Sequence, residues 1–530
     1  MKKLLILQAL LWAGLAVAQT TGIKIKASPT YKLTTARVQN DFMIPDQQGG
    51  FITIASKRSG FLVDPLIFEA YATQYDKKLK PVKTKTFKLN KGSVKGAIKG
   101  AFVHSGQLFL LNMDINYRKK YYAFKKITGH IDNGQIEEKE FFRLNFLYPK
   151  TEVNLFVNPG SLYYQKLKYY TDVNFFNPKM FFVFSDNNKY FAIVYRDKQP
   201  VAKYHINVFN QNFEPVFQQD ISGGVSSDLF YINDIKVAGD TGTVFVIGQI
   251  YKTDPLRKKR LMNTDNTKEF IIYRASKNMV DTYRLKPQKV IEKLYLALGD
   301  DLTVYGFYRH KYLNLNDVDG FYRLNMTKKL AMLNQSYQSF EKQMVSVSEK
   351  KRIKKTKNHS IIVRNSFLLS DGTLIINAED LYVPLMMKKE DREENVREIA
   401  GDIFSIKIAP EGQILWVVKI YKKQLVKPRL ALHSFFSALI NGKNYIVFTD
   451  SPMEKASKEV PFYLLKKELY NLNAVVISND GMVSKQLVKK YKRGDKFRFM
   501  PIEGIMVSPV SAIIPAKDHL YTKFYKLQFE

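Results

Sequence analysis

The 530-residue sequence predicts an all-β fold assembled from a repeated four-stranded unit, and three observations predict it. Short runs rich in aromatic and β-branched residues recur along the chain, alternating apolar with polar side chains. Turn-forming corners separate them, among them Asp371-Gly372, Glu411-Gly412, Asn441-Gly442 and Asp480-Gly481, where glycine accepts a positive φ without steric cost. One order of strand, corner and strand also returns at a fixed spacing. Its anchors are the aromatic–basic pairs Tyr195-Arg196, Tyr251-Lys252 and Tyr308-Arg309, 56 and 57 residues apart.

The chain opens differently. Lys2 and Lys3 precede an apolar run, Leu4 to Leu15, that closes on Ala16-Val17-Ala18, the pattern of a secretory signal peptide over 1–18. The run is too short to span a bilayer. Export to the periplasm or the extracellular space is therefore expected, with a mature chain from Gln19. No later stretch is long enough to cross a membrane; Gly504 to Ile514 is cut by Pro509 and followed by Pro515. Cysteine is absent, so neither a thiol-borne lipid anchor nor a disulfide framework is available. A hydrophobic content of 45% argues for an ordinary apolar core and against disorder.

In chain order, "LIFEAYATQYDKKLKPVKTKTF" gives a strand, a corner at Asp76-Lys77-Lys78, and a second strand. "GQLFLLNMDINYRKKYYAFKKITGH" follows in a unit starting near Ala101. Phe181 to Ile221 reads as one meander, with "FFVFSDNN" and "KYFAIVYRD" ahead of "HINVFNQNFEPVF". The next two units run from "TGTVFVIGQIYK" and from "DDLTVYGFYRH". "SDGTLIINAEDLYV" then pairs with "DIFSIKIAPEGQILWVVKI", and "HSFFSALINGKNYIVFTD" with "LNAVVISNDGMVSKQLV". Finally "HLYTKFYKLQF" supplies a terminal strand that could complete a unit begun by "TGIKIKASPTYKL" near the mature N-terminus.

A period of 50 to 70 residues holding about four strands resembles the blade of a β-propeller. One such sheet cannot bury both faces, so blades stack radially and cover each other. The resemblance extends over 19–530 and implies a single β-propeller of seven or eight four-stranded blades, closed by its two ends. Two β-sandwiches and an open solenoid are the competing architectures. No WD dipeptide series, Kelch glycine pair or row of docking tryptophans points to one family, since only Trp12 and Trp416 are present.

Three short helical or loop insertions interrupt the rhythm, at 341–359, 384–401 and 451–470. The first holds the basic run Lys350, Lys351, Arg352, Lys354 and Lys355. The second, from Met386 to Ile399, has helical i,i+4 charge spacing, and the third begins with a capping box at Ser451.

Metal and nucleophile motifs are missing. The seven histidines are scattered, no HExxH or GxSxG occurs, and no cofactor or metal is expected. The carboxylates with any claim to chemistry are Asp300, Asp301, Asp319 and Glu379. A glycan hydrolase or lyase would need two of them facing one cleft at the propeller mouth. Turn-forming Asp is the ordinary explanation for most of these.

Charge is the strongest global signal: 83 Lys+Arg against 49 Asp+Glu, net +34, or +32 without Lys2 and Lys3. Such a field draws anionic partners. Aromatic–basic stretches such as Arg118, Lys119, Lys120, Tyr121 and Tyr122 offer charge with flat ring faces, and so do "YYQKLKYY" and "YKKQLVKPR". Alternating strands would also place such Tyr inside and Lys outside. The expected partners are an envelope protein or an anionic glycan or lipid surface; export argues against nucleic acid. The sequence thus reads as a binding or scaffold protein, with the glycan-active enzyme as alternative.

Overall fold

The structure is a computed structural model that describes residues 22–32, 38–59, 66–88, 94–116, 118–129, 136–145, 180–197, 200–227, 229–252, 267–309, 318–340, 344–346, 359–382, 398–422, 424–426, 434–450, 471–490, 496–518 and 521–530. The signal segment, the insertion at 451–470, the basic run Lys350–Lys355 and the stretch Tyr163–Tyr170 lie outside them. Of the segment 384–401, only Glu398 to Gly401 are described, and they open a strand rather than extend a helix. Among the described residues there is no α-helix, only a single 3-10 turn at Pro501–Glu503.

Eight sheets, antiparallel but for one short parallel strand, Met344–Ser346, on the sixth, form the ring. Blade 1 comprises Val38–Pro45, Phe51–Ser59, Leu66–Tyr75 and Pro81–Lys88. Blade 2 comprises Val94–His104, Gln107–Asn116, Tyr121–Gly129 and Ile136–Asn145. Blade 3 holds Met180–Phe184, Tyr190–Arg196, Val201–Asn210 and Pro215–Ser226; blade 4 holds Phe230–Val237, Val244–Tyr251, Thr267–Ala275 and Val280–Leu285. Blade 5 holds Val290–Leu298, Leu302–Arg309, Gly320–Met326 and Met332–Ser339. Blade 6 is built on His359–Leu368, Leu374–Tyr382, Glu398–Ile408 and Ile414–Ile420, and blade 7 on Phe435–Ile440, Lys443–Asp450, Asn471–Ile477 and Val483–Lys489. In blade 8, Ile505–Ser508, Ser511–Asp518 and Tyr521–Phe529 are completed by Ile23–Ala27. The Tyr195, Tyr251 and Tyr308 anchors all fall at the ends of second strands.

Closure joins the two ends of the chain. Ile23 pairs with Phe529, Ile25 with Leu527 and Ala27 with Tyr525. Every neighbouring pair of blades also shares an apolar cluster. Phe109 and Phe124 link blade 2 to Ala70 and Phe87 of blade 1 and to Phe191 and Phe209 of blade 3. Val194 and Val246, Ile247 and Leu296, and Phe307 and Ile376 belong to the clusters shared across the next three interfaces. Trp416 with Ile446, Val447 with Leu527, and Phe524 with Phe51 and Tyr75 complete the circuit. Sheet faces are thus covered by the next sheet, which is the physical reason for a ring.

A recurring turn joins third to fourth strands. In Asp76–Lys80, Asn210–Glu214 and Thr327–Ala331 the first side-chain oxygen accepts from the N–H groups of the third and fifth residues. The fourth residue takes a positive φ: Leu79 (68°), Phe213 (66°) and Leu330 (65°). Each of these side chains is buried and joins a cluster shared with the preceding blade. Burying one contributes about 1.5–3 kcal/mol, enough to offset a left-handed backbone costing about 1–2. In blade 7 the same position is Gly481, and a Cβ there would lie 2.9 Å from Trp416 of blade 6, which already fills the gap.

Candidate functional site

The strand order divides the ring into two unlike faces. Connections between first and second strands, and between third and fourth, are turns of at most six residues. The strand ends joined by the longer connections all lie on the opposite face: Asn145 and Met180, Tyr251 and Thr267, Arg309 and Gly320, Tyr382 and Glu398, and Asp450 and Asn471.

The short-turn face is fastened blade to blade by side chains that donate to turn carbonyls. Gln47 Nε2 reaches Val103 O at 2.9 Å, Asn187 Nδ2 reaches Gly239 O at 2.9 Å, and Gln219 Nε2 reaches Ser276 O at 3.1 Å. Arg323, only 1% exposed, spans from blade 5 to two turns of blade 6. Its guanidinium donates to Gly372 O and Ala409 O, both at 2.7 Å, and to Asn325 Oδ1 at 2.8 Å. Burial lowers its pKa to about 10, so it stays protonated at neutral pH. Lys407 of blade 6 likewise donates to Asn479 O of blade 7 at 3.0 Å.

The long-connection face has ion pairs beneath it. On blade 6, Glu379 lies between Lys422 and Arg364, whose Nε is 2.8 Å from the carboxylate. Glu379 and Lys422 are both 0% exposed. Burial pushes the Glu379 carboxyl up, but the Lys422 ammonium and the Arg364 guanidinium outweigh it and hold its pKa at about 2. On the same blade Asp402 meets Lys419 at 3.1 Å, and burial raises its carboxyl. On blade 4 Arg284 pairs with buried Glu269 at 2.7 Å. On blade 3 the His205 ring lies between Asp220 (2.7 Å) and Asp197 (3.6 Å), stacked on Tyr195.

The four candidate acids do not share a cleft. Asp300 and Asp301 are exposed on the short-turn face of blade 5, where the turn closes through Gly299 N and Asp301 O. Asp319 stands at the opposite end of that blade, its N–H bonded to Tyr308 O. Glu379 belongs to another blade and is committed to its two cations. A carboxyl held ionised down to pH about 2 has no proton to give a leaving group at neutral pH.

The aromatic–basic stretch divides by depth. Arg118, Lys119 and Lys120 form an exposed turn on the long-connection face, with Lys119 N bonded to Asn116 Oδ1 and Lys120 at φ 56°. Tyr121 carries the Arg143 guanidinium 4.3 Å over its ring. Tyr122, at 1% exposure, is a core residue of the first apolar cluster and offers no surface for binding, because both faces of its strand are covered and Ala123 and Phe124 are buried with it. Lys422 of "YKKQLVKPR" is likewise internal. The pairing of Glu379 with Lys422 and Arg364 has no local sequence signal, since its partners stand 43 and 15 residues away.

No protein-family model matches this chain, and no curated protein matches it. Among solved structures it is similar to the β-propeller domain of the Trilobed protease from Pyrococcus furiosus, at 8% identity and a TM-score of 0.34, covering 82% of this chain and 95% of that one. A polysaccharide lyase of family PL25, an ulvan lyase, is similar at 10% identity and a TM-score of 0.36, covering 80% and 90%. An acylaminoacyl peptidase of Pyrococcus horikoshii gives 9% and 0.33, covering 80% of this chain and 49% of the peptidase. The propeller assignment here rests on the strand order and closure described above.

Proposed function

We propose that this chain is an exported binding or scaffold protein of the cell envelope that engages an anionic partner on the face carrying the long connections. The observation that supports this reading most is the division of the two faces. One is pinned by tight turns and interblade hydrogen bonds, and on the other lie the strand ends from which every long connection departs, the segments where specificity is most readily varied. The net charge of +34 and the exposed basic turn Arg118-Lys119-Lys120 supply the attraction. The buried carboxylate Glu379 serves as a structural counter-ion.

Retention on a sulfated-glycan matrix under a salt gradient tests the reading. The chain is expected to bind at low salt and elute as screening shortens the reach of the field. Converting Arg118, Lys119 and Lys120 together to Glu should lower the eluting salt concentration. Flow-through at low salt, or elution that ignores ionic strength, would remove charge as the basis of association. Recovery from envelope material then identifies the bound component as protein or polymer.

A further inference from the structure

Outer strands are the exposed edges of a propeller, and an uncovered edge invites another strand unless charge, proline or a bulge discourages it. The eight outer strands here differ in this respect. Blade 1 ends in Pro81–Lys88 (PVKTKTFK), blade 2 in Ile136–Asn145 (IEEKEFFRLN), and blade 3 in Pro215–Ser226 with its Pro and Asp. Blade 4 carries Asp281 and Arg284, blade 7 Lys485 and Lys489, and blade 8 Lys24 and Lys26. Blade 6 is covered: Met344–Ser346 pairs in parallel with its outer strand, from Met344 opposite Val417 to Ser346 opposite Lys419. That leaves blade 5. Its outer strand, Met332–Ser339, reads MLNQSYQS, with no charge, no proline and no glycine, in a chain with 132 charged residues among 530. Among the described residues no strand pairs with its outer side.

We infer that the outer strand of blade 5 is a docking edge that accepts an extended strand of a partner protein whose ends are acidic. Main-chain hydrogen bonds along the edge would give affinity, and side-chain anchors would give register. Anchors are present at one end, where Met332 (54% exposed), beside Tyr283 of blade 4, and Leu333 (53%) open the strand; Met279 of blade 4 and Leu415 of blade 6 are exposed near the starts of their own outer strands. Cations flank both ends: Lys329 in the preceding turn, beside Lys328, which is shared with Asp240 of blade 4 at 3.6 Å, and Lys289, which lies 5.4 Å from the Tyr337 ring. A second copy is the poorer occupant, because it brings the same net charge of +34 to a contact only one strand long. The inference rests on the reading of the chain as a binding protein and adds the place where a protein partner joins it.

The test uses the full chain and a synthetic peptide of alternating valine and threonine with paired aspartates at each end, read by fluorescence anisotropy. Binding is expected for the unaltered chain. Gln335→Lys and Leu333→Lys, which give blade 5 the charge its neighbours carry, should each weaken it at least about tenfold. A peptide with a central proline should not bind. Thr84→Lys on the outer strand of blade 1 is the control and should change nothing. Both blade 5 positions are exposed, and an unchanged circular dichroism melt confirms that the variants fold. Absent peptide binding, or binding indifferent to both lysines, would overturn the inference. So would self-association of the unaltered chain that either lysine abolishes, since the occupant would then be a second copy. Glycan-matrix retention of the same variants is expected to be intact; its loss in the unaltered chain would count against the proposed function and not against the edge.

Discussion

Single residues in this ring act mostly by what they leave unpaired when removed. Glu379 is the clearest case, because two cations are buried on one carboxylate. Glu379→Gln would strand both and should cost about 3–5 kcal/mol, read as a fall in denaturation midpoint. Replacing Lys422 by Met together with Glu379→Gln should recover part of that loss, since one stranded charge goes with it. The same pairing makes stability depend on acid. The folded pKa of about 2 lies below the ordinary 4.5, so the contribution is complete above pH about 4.5 and is lost as pH falls toward 2. The Glu379→Gln variant should lack that component, and parallel acid-melting curves for the two proteins would refute the assignment. None of this was legible in the sequence. Arg364 and Lys422 look there like ordinary surface charges and Glu379 like a candidate acid, and only the convergence of three separate segments buries them together. Tyr122 shows the opposite: alternation already favoured an inward tyrosine, and the core holds it.

At the level of elements, the turn between third and fourth strands carries more information than its length suggests. Its fourth position plugs the gap toward the preceding blade, and the occupant follows from what that blade supplies. Leu330→Gly would relieve a strained φ yet remove a buried side chain, and the second effect should win, costing about 1–3 kcal/mol in chemical denaturation. Gly481→Leu should also destabilise, because Trp416 already occupies the space. If Leu330→Gly stabilises the chain, the plug is not a packing element. The strand repeat itself was legible. Alternation and turn residues located the units from Phe181 onward, and the pairing of the terminal "YTKFYKLQF" with "IKIKA" followed from its apolar face needing cover. What stayed hidden were two extra strands on blade 6: Met344–Ser346 and Gln424–Val426, three residues each, carry no periodicity of their own. The Asx-type turn with its buried fourth residue was also present in "DKKLK", "NQNFE" and "TKKLA". It escapes notice because Leu and Phe at a positive φ are unusual enough not to be sought.

For the whole molecule, the balance between cohesion and charge sets how it responds to its medium. The apolar clusters run around the full circle, and the ring closes where Ile23–Ala27 and Tyr31–Lys32 pair with the terminal strand. Against them stands a net charge of +34, with like charges brought face to face at Lys26 and Lys526, which pair directly across the closing strands. Like charges opposite one another in a sheet destabilise it, and a large net charge opposes the compact state. Added salt should therefore raise the melting temperature, because screening relieves the repulsion. It should leave the Glu379 pairing nearly untouched, because buried pairs are screened far less. Lys26→Gln combined with Lys526→Gln should raise stability at low salt and shrink the increment that salt adds. A melting temperature that falls steadily between low and moderate sodium chloride would mean that exposed ion pairs hold the ring more than its charge excess strains it.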